Sequence, residues 1–411
     1  MGDNIPSLPS MGAASQPSTQ ALTPVQANGD SSAIIESLID RRSLLPSGPY
    51  AQVSNAVLAA NSRAAEADLR AARLRSEARN SNWLPTIGPN VSLTSLGDVV
   101  TSLVVDAVLF DNGGKKAERD YAAADVEVAA VALAQDTNER VLQGLELYLA
   151  AEKSRAQAQV NADAMAQMER YAYIMSERVK GGISSRVDLN IVQQKLNQMQ
   201  AQMASDKEAT NTALAELSAM SASSVDGITG ISTIGAEHTA KPLAVLKAEA
   251  EASRAMAEAR AARAGLLPSL TASASRSGGE TNTGLNLGGA GIGFGTGASL
   301  KALEETQAAA NARVGQVRED TNRTLRALEA ELASLQRQEA QAQTLAAQAA
   351  SNYQVYAAQQ REGTRSVPET VGLFETKVRA EREAAALKFD VARVALQIAA
   401  QKGVLVDGDK I

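Results

Sequence analysis

Catalysis needs side chains that can move a proton, attack a carbonyl or hold a metal, and this chain is poor in them. It has one histidine, His238, and no cysteine, which excludes a histidine metal cluster, a thiolate site and a disulfide. His238 stands in a Gly/Ser/Thr-rich connector, where a histidine is ordinarily a solvated side chain. Gly113-Gly114-Lys115-Lys116 is not a phosphate loop, because the leading glycine and the closing Ser/Thr of that motif are missing. The alternating run Gly291, Gly293, Gly295, Gly297 places glycines on one face of a strand. It is not the GxGxxG that opens a dinucleotide-binding helix. The polar residues of most interest come after two glycine turns: Arg186 and Asp188 after Gly181-Gly182, and Arg365 and Glu369 after Gly363. Acids placed there are favoured by the helix dipole. No catalytic constellation, cofactor site or metal site is expected, and the chain does not read as an enzyme.

The elements that must position these turns are written twice. Residues 55–220 and 247–403 share one plan in one order. An Ala/Arg/Glu-rich helical segment stops at Leu84-Pro85 and again at Leu267-Pro268. A Ser/Thr/Gly/Val segment of strand character comes next, then a very long Ala-rich helix, a glycine turn (181–183, then 362–366) and a shorter helix. The unit is far longer than the roughly 20–50 residues of a solenoid repeat. It reads as a duplicated half, and so as part of a pseudo-symmetric ring or tube. The remaining segments are an extended N-terminal arm and connector (1–54), an equatorial connector (221–246) and a C-terminal tail (404–411).

Composition agrees with a tube more than with a globule. Only 3% of the 411 residues are aromatic, while the apolar fraction of 45% comes mostly from alanine. Alanine favours helix and lets helices approach closely, but buries little area per residue. The net charge of −6 is interspersed, with no basic stripe for nucleic acid. No apolar run reaches the roughly 18 residues of a membrane helix. The start, MGDNIPSLPS, has neither a basic nor an apolar signal region, so no signal peptide is expected in it; the chain reads as either cytosolic or a mature or engineered form, and the second is preferred.

Between about 90 and 110, Val91 and Leu93, then Val99, Thr101, Leu103, Val105, Ala107 and Leu109, recur with period two around Leu96-Gly97-Asp98. That pattern predicts a hairpin with strands long enough to cross a bilayer at a tilt. A second strand region is expected over about 269–297, where the alternation is weaker. The long helices, about 112–180 and 299–361, span roughly 90–100 Å at 1.5 Å per residue. Leu189, Val192, Leu196, Met199 and Met203 carry a coiled-coil spacing, as do Leu325, Leu328, Leu332 and Leu335. The shorter helices, taken in pairs, match a long helix in length and are expected to stack end to end beside it. Their interruptions then meet as a belt.

These motifs, in this order, resemble the TolC family of outer-membrane efflux and secretion ducts. NWLPTIGPNVSLT and GLLPSLTASAS match its helix-to-strand junctions, LFDNGGKKAERDYAAADV its strand-to-long-helix junction, and LELYLAAEKSRA its mid-helix pattern. VKGGISSRVDLNIVQQKL and REGTRSVPETVGLFETKV match its periplasmic turns. The resemblance covers about 55–403 and implies a mainly α fold with a membrane β-barrel portion. It implies a homotrimer whose protomers share one 12-stranded barrel and one α-helical tunnel, in the outer membrane and reaching across the periplasm. It implies a passive channel for efflux or type I secretion, working with a periplasmic adaptor and an inner-membrane pump of RND or ABC type. By the same resemblance Asp188 and Glu369 fall where acids ring a pore constriction, with Arg186 and Arg365 as latch partners. Gly372 stands where the family often has a second acid. The alternative reading is a structural coiled-coil scaffold or filament without a pore.

Overall fold

The computed structural model describes residues 26–27, 30–45, 47–60, 64–93, 99–234, 240–277, 279–288 and 293–410. Leu96-Gly97-Asp98, His238, Gly291 and most of the N-terminal arm lie outside these residues. The fold is mainly α, with a two-stranded pair and one four-stranded sheet.

A short bridged pair, β1 (Gln26–Ala27) and β2 (Asp30–Ser31), leads into α1 (Ala33–Ile39), capped by the Ser32 side chain. The single helix expected over about 55–82 is instead two, α2 (Pro49–Ala59) and α3 (Ala64–Asn80). Pro49 opens α2 because a first-turn residue needs no N–H and the ring presets a helical φ.

Four antiparallel strands form one sheet in the order β3-β4-β5-β6: Thr86–Leu93, Val99–Phe110, Ser269–Ser277 and Glu280–Gly288. β3 starts earlier than the expected residue 90 and runs through Pro89, which an edge strand tolerates. The second strand region ends at Gly288, short of the expected 297. Gly295 is the N-cap of the next helix, Gly297 lies inside it, and the Gly293 N–H donates to Thr296 Oγ1 at 3.0 Å. Glycine has little strand preference to resist that turn.

The long helices are α4 (Gly114–Lys180, 67 residues) and α7 (Thr296–Arg361, 66 residues), each about 100 Å. The shorter ones are α5 (Arg186–Ala219), α6 (Leu243–Gly265) and α8 (Val367–Gln401). α5 and α6 both lie along α4, as do α8 and the α2–α3 pair, while α7 packs on α6 and α8. Ion pairs tie the sheet-proximal half together: Asp125 of α4 takes Arg75 of α3 at 3.3 Å and Arg254 of α6 at 3.0 Å.

The main core lies at the level of the belt. Tyr50, Val57, Leu145, Tyr148, Leu217, Leu396 and the tail residues Val404–Val406 are buried together there. Arg41, only 5% exposed, clasps this belt. Its guanidinium donates to the carbonyls of Ser37, Lys241, Lys402 and Gly403. Burial pushes its pKa down to about 10, so it stays charged at neutral pH.

Candidate functional site

Two places can carry function: the tip formed by the glycine turns and the sheet at the opposite end. At the tip, α4 and α7 end in the same way. Gly182 (φ +70°) and Gly363 (φ +79°) take the left-handed conformation that lets the next N–H turn back onto the helix. The Ile183 N–H reaches Arg178 O at 2.8 Å, and the Thr364 N–H reaches Gln359 O at 3.0 Å. Gly181 sits one residue earlier with an ordinary φ of −79°, in the place Glu362 takes in the other turn.

The helices that leave the turns are capped alike. Ser185 and Asp188 form a capping box on α5, and Ser366 and Glu369 form another on α8, with Pro368 in the first turn. Asp188 accepts from the Ser185 N–H at 3.4 Å and Glu369 from the Ser366 N–H at 3.3 Å. Both candidate acids are thus helix-capping groups in this structure, and both stand within six residues of a left-handed glycine. Arg365 folds back onto its own hairpin, with Nε 3.2 Å from Gln359 Oε1 and the guanidinium 4.7 Å above the Tyr356 ring. Arg186 is exposed. Among the described residues neither arginine forms an ion pair with Asp188 or Glu369. Replacing Ser185 and Ser366 singly by alanine is expected to cost about 1 kcal/mol each. The check is the thermal midpoint, and two unchanged midpoints would remove the caps from any account of tip order.

The link between the two hairpins was not anticipated from the sequence. Tyr171 of α4, eleven residues before Gly182, and Tyr353 of α7, ten before Gly363, meet hydroxyl to hydroxyl at 2.9 Å. Phe374 of α8 packs on both rings, with centroids 6.0 and 5.0 Å away. Burial, then the bond to Tyr171, pushes the Tyr353 phenol well above its usual range. Farther from the tip, Asp206 of α5 receives both Nη groups of Arg382 of α8, along with Gln202 at 3.1 Å and Asn161 at 3.5 Å. A signal did exist for the first cluster. Aromatics are scarce, yet a tyrosine stands ten or eleven residues before the left-handed glycine of each turn.

At the other end, register sorts the sheet into two faces, since residues opposite one another in a ladder point the same way. Ile87 pairs with Val105 and Pro89 with Leu103; Val105 pairs with Ala274, Ala272 with Leu285 and Leu270 with Leu287. That face is apolar. The other carries Thr86, Asn90, Ser102, Asp106, Ser273, Ser275, Asn282 and Asn286. A bulge between Val108 and Phe110 shifts the phase and sets Phe110 opposite Leu270 on the apolar side. Nothing among the described residues covers either face: Ile87 is 68% exposed and Leu287 80%. The exposed aromatics Trp83, Phe110 and Phe294 all stand where the strands meet the helices.

The chain closely matches the shape of solved channels. A membrane protein from Pseudomonas aeruginosa superposes with a TM-score of 0.75 at 16% identity, covering 94% of this chain and 96% of that one. The fold is TolC-like. The outer membrane channel CmeC of Campylobacter jejuni gives 0.72 at 12% identity, over 98% of this chain and 94% of its own. The outer membrane protein VceC of Vibrio cholerae gives 0.68 at 14%, over 90% and 95%. No protein-family model and no curated protein matches the sequence. The TolC-like likeness therefore rests on shape: a sheet at one end, a belt in the middle and two capped turns at the other end of helices about 100 Å long.

Proposed function

We propose that three copies of this chain form a passive exit duct in the outer membrane. Residues 55–220 and 247–403 act as its two repeats, and the tunnel extends into the periplasm. The observation that carries this reading is the sheet, with one apolar face and one polar face, neither covered by the chain's own helices. A membrane barrel needs just that alternation, lipid outside and water inside. The free edges β3 and β6 support closure with neighbouring copies, because open edges are not tolerated in lipid. α7 supports it too: of its 66 residues only Ala310, Thr321, Ala342 and Ala346 are buried, and its leucine stripe is half-buried. Three protomers give a 12-stranded barrel and a continuous helical wall. A wall of capped helices and strands supplies no energy of its own, so transport is driven by an inner-membrane pump of RND or ABC type through a periplasmic adaptor.

At the tip, Asp188 and Glu369 repeat three times near one axis in this assembly. Beyond capping they form an acidic constriction that favours cations, while Arg186 and Arg365 hold neighbouring helix pairs. The assembly is tested first by light scattering in detergent. A trimer is expected, and a monodisperse monomer, or a protein that purifies without detergent, points to a scaffold and not a duct. Planar-bilayer recordings then test the tip. Arg365→Ser, alone or with Arg186→Ser, is expected to raise conductance, and Asp188→Ala with Glu369→Ala to lower cation selectivity. If all these variants behave as the parent, the acids cap helices and nothing more.

A further inference from the structure

The four strands of the sheet contain three charged residues, and they are divided between its faces. Asp106 and Glu280 lie on the polar face; Arg276 lies on the apolar one, opposite Leu103 in β4 and Thr281 in β6. It is exposed, and no ion pair to it is found among the described residues. Thr281 and Thr283 share its face on β6, and Thr101 shares it on β4. Every polar side chain identified on the apolar face thus stands toward the hairpin end of the strands. Thr283 is level with Val105 and Ala274; the other residues of this face from there down are Ile87, Ala107, Ala272, Leu285, Leu270 and Leu287, to the aromatic level at Phe110.

The spacing has a physical meaning. Arg276 is six residues from Leu270, about 20 Å along the strand. The long side chain covers most of the remaining distance across an apolar band about 25 Å tall. The β5–β6 hairpin turns just beyond it, with Ser277 opposite Glu280, while the β3–β4 backbone continues past that level to Leu93 opposite Val99. The arginine therefore stands on a ledge beside a taller neighbour, with threonine hydroxyls on either side.

Resting on the duct reading above, we propose that Arg276, Thr281 and Thr101 form a lipid-facing notch that binds the phosphate of an outer-leaflet lipid headgroup. A guanidinium forks two N–H donors onto a phosphate, and the two hydroxyls supply further donors. A cation on an otherwise apolar wall is costly unless an anion or water meets it. The acids sit on the opposite face and do not compete. The notch anchors the outer margin, where the described strands carry none of the aromatic residues found at the inner one.

The test uses the full chain reconstituted in phosphatidylcholine vesicles containing spin-labelled phosphatidic acid or spin-labelled diacylglycerol. Insertion is read separately from quenching of Trp83, the sole tryptophan, by brominated lipid. The parent is expected to immobilise the phosphate-bearing probe in preference to the neutral one. Arg276→Gln abolishes that preference, Arg276→Lys keeps part of it and Thr281→Val weakens it. Insertion without preference in the parent, or with preference intact in Arg276→Gln, overturns the notch and leaves the duct standing. Failure of the parent to insert overturns both.

Discussion

Asp206→Ala is expected to destabilise the tube by about 3–5 kcal/mol, the usual cost of stranding one member of a buried ion pair. Asp206 is 6% exposed, and Arg382 also donates to the Gln157 carbonyl at 2.9 Å, so the group binds α4, α5 and α8 together. Val192, Met199, Asp206 and Ala213 are buried at seven-residue intervals along α5. The acid therefore occupies a seam position that a coiled coil ordinarily gives to an apolar residue. A polar residue there fixes register at some cost in stability. Replacing both partners by leucine should accordingly recover most of the loss, since apolar substitutes for buried pairs are often neutral or stabilising. Denaturant midpoints of the single and double variants decide the matter. A loss under about 1 kcal/mol for Asp206→Ala, the scale of an exposed pair, would mean that the pair is hydrated and sets nothing.

Val105→Arg should abolish membrane assembly, while Leu103→Arg should be tolerated better. Arginine on a lipid-facing strand costs about 2–4 kcal/mol at the bilayer midplane and far less near its margins. In a trimer the cost is incurred three times. Val105 is flanked by Ile87 and Ala274, whereas Leu103 faces the native Arg276. The yield of detergent-extracted trimer measures the effect. Equal yields for both variants would mean that the apolar face meets no lipid.

Much of this architecture could be read from the sequence because it depends on local chemistry. Pro85 and Pro268 stop helices, Gly182 and Gly363 permit the left-handed turns, and Asp188 and Glu369 fall in the first turns of the helices beyond them. Each of these acts on residues within about one helical turn. Sequence and structure part where local preference is weak or ambiguous. Gly293, Gly295 and Gly297 mimic a strand period with residues that express no strand preference. The contacts between hairpins could not be read at all. Nothing near Tyr171 announces Tyr353, 182 residues away, and Arg382 gives no sign of Asp206. The tip acids were found by position, but their capping role is the part that local sequence specifies. Their role in a pore depends on other copies of the chain.

The clasp made by Arg41 has a consequence for how the protein is made. Its acceptors lie 200, 361 and 362 residues away, at Lys241, Lys402 and Gly403. A growing polypeptide emerges from its start, so the guanidinium must wait for acceptors made hundreds of residues later. The belt cannot close until residues 402 and 403 are free, and contacts of such range are slow to form. Without residues 402 and 403 the guanidinium would keep only two of its four carbonyl acceptors, at Ser37 and Lys241.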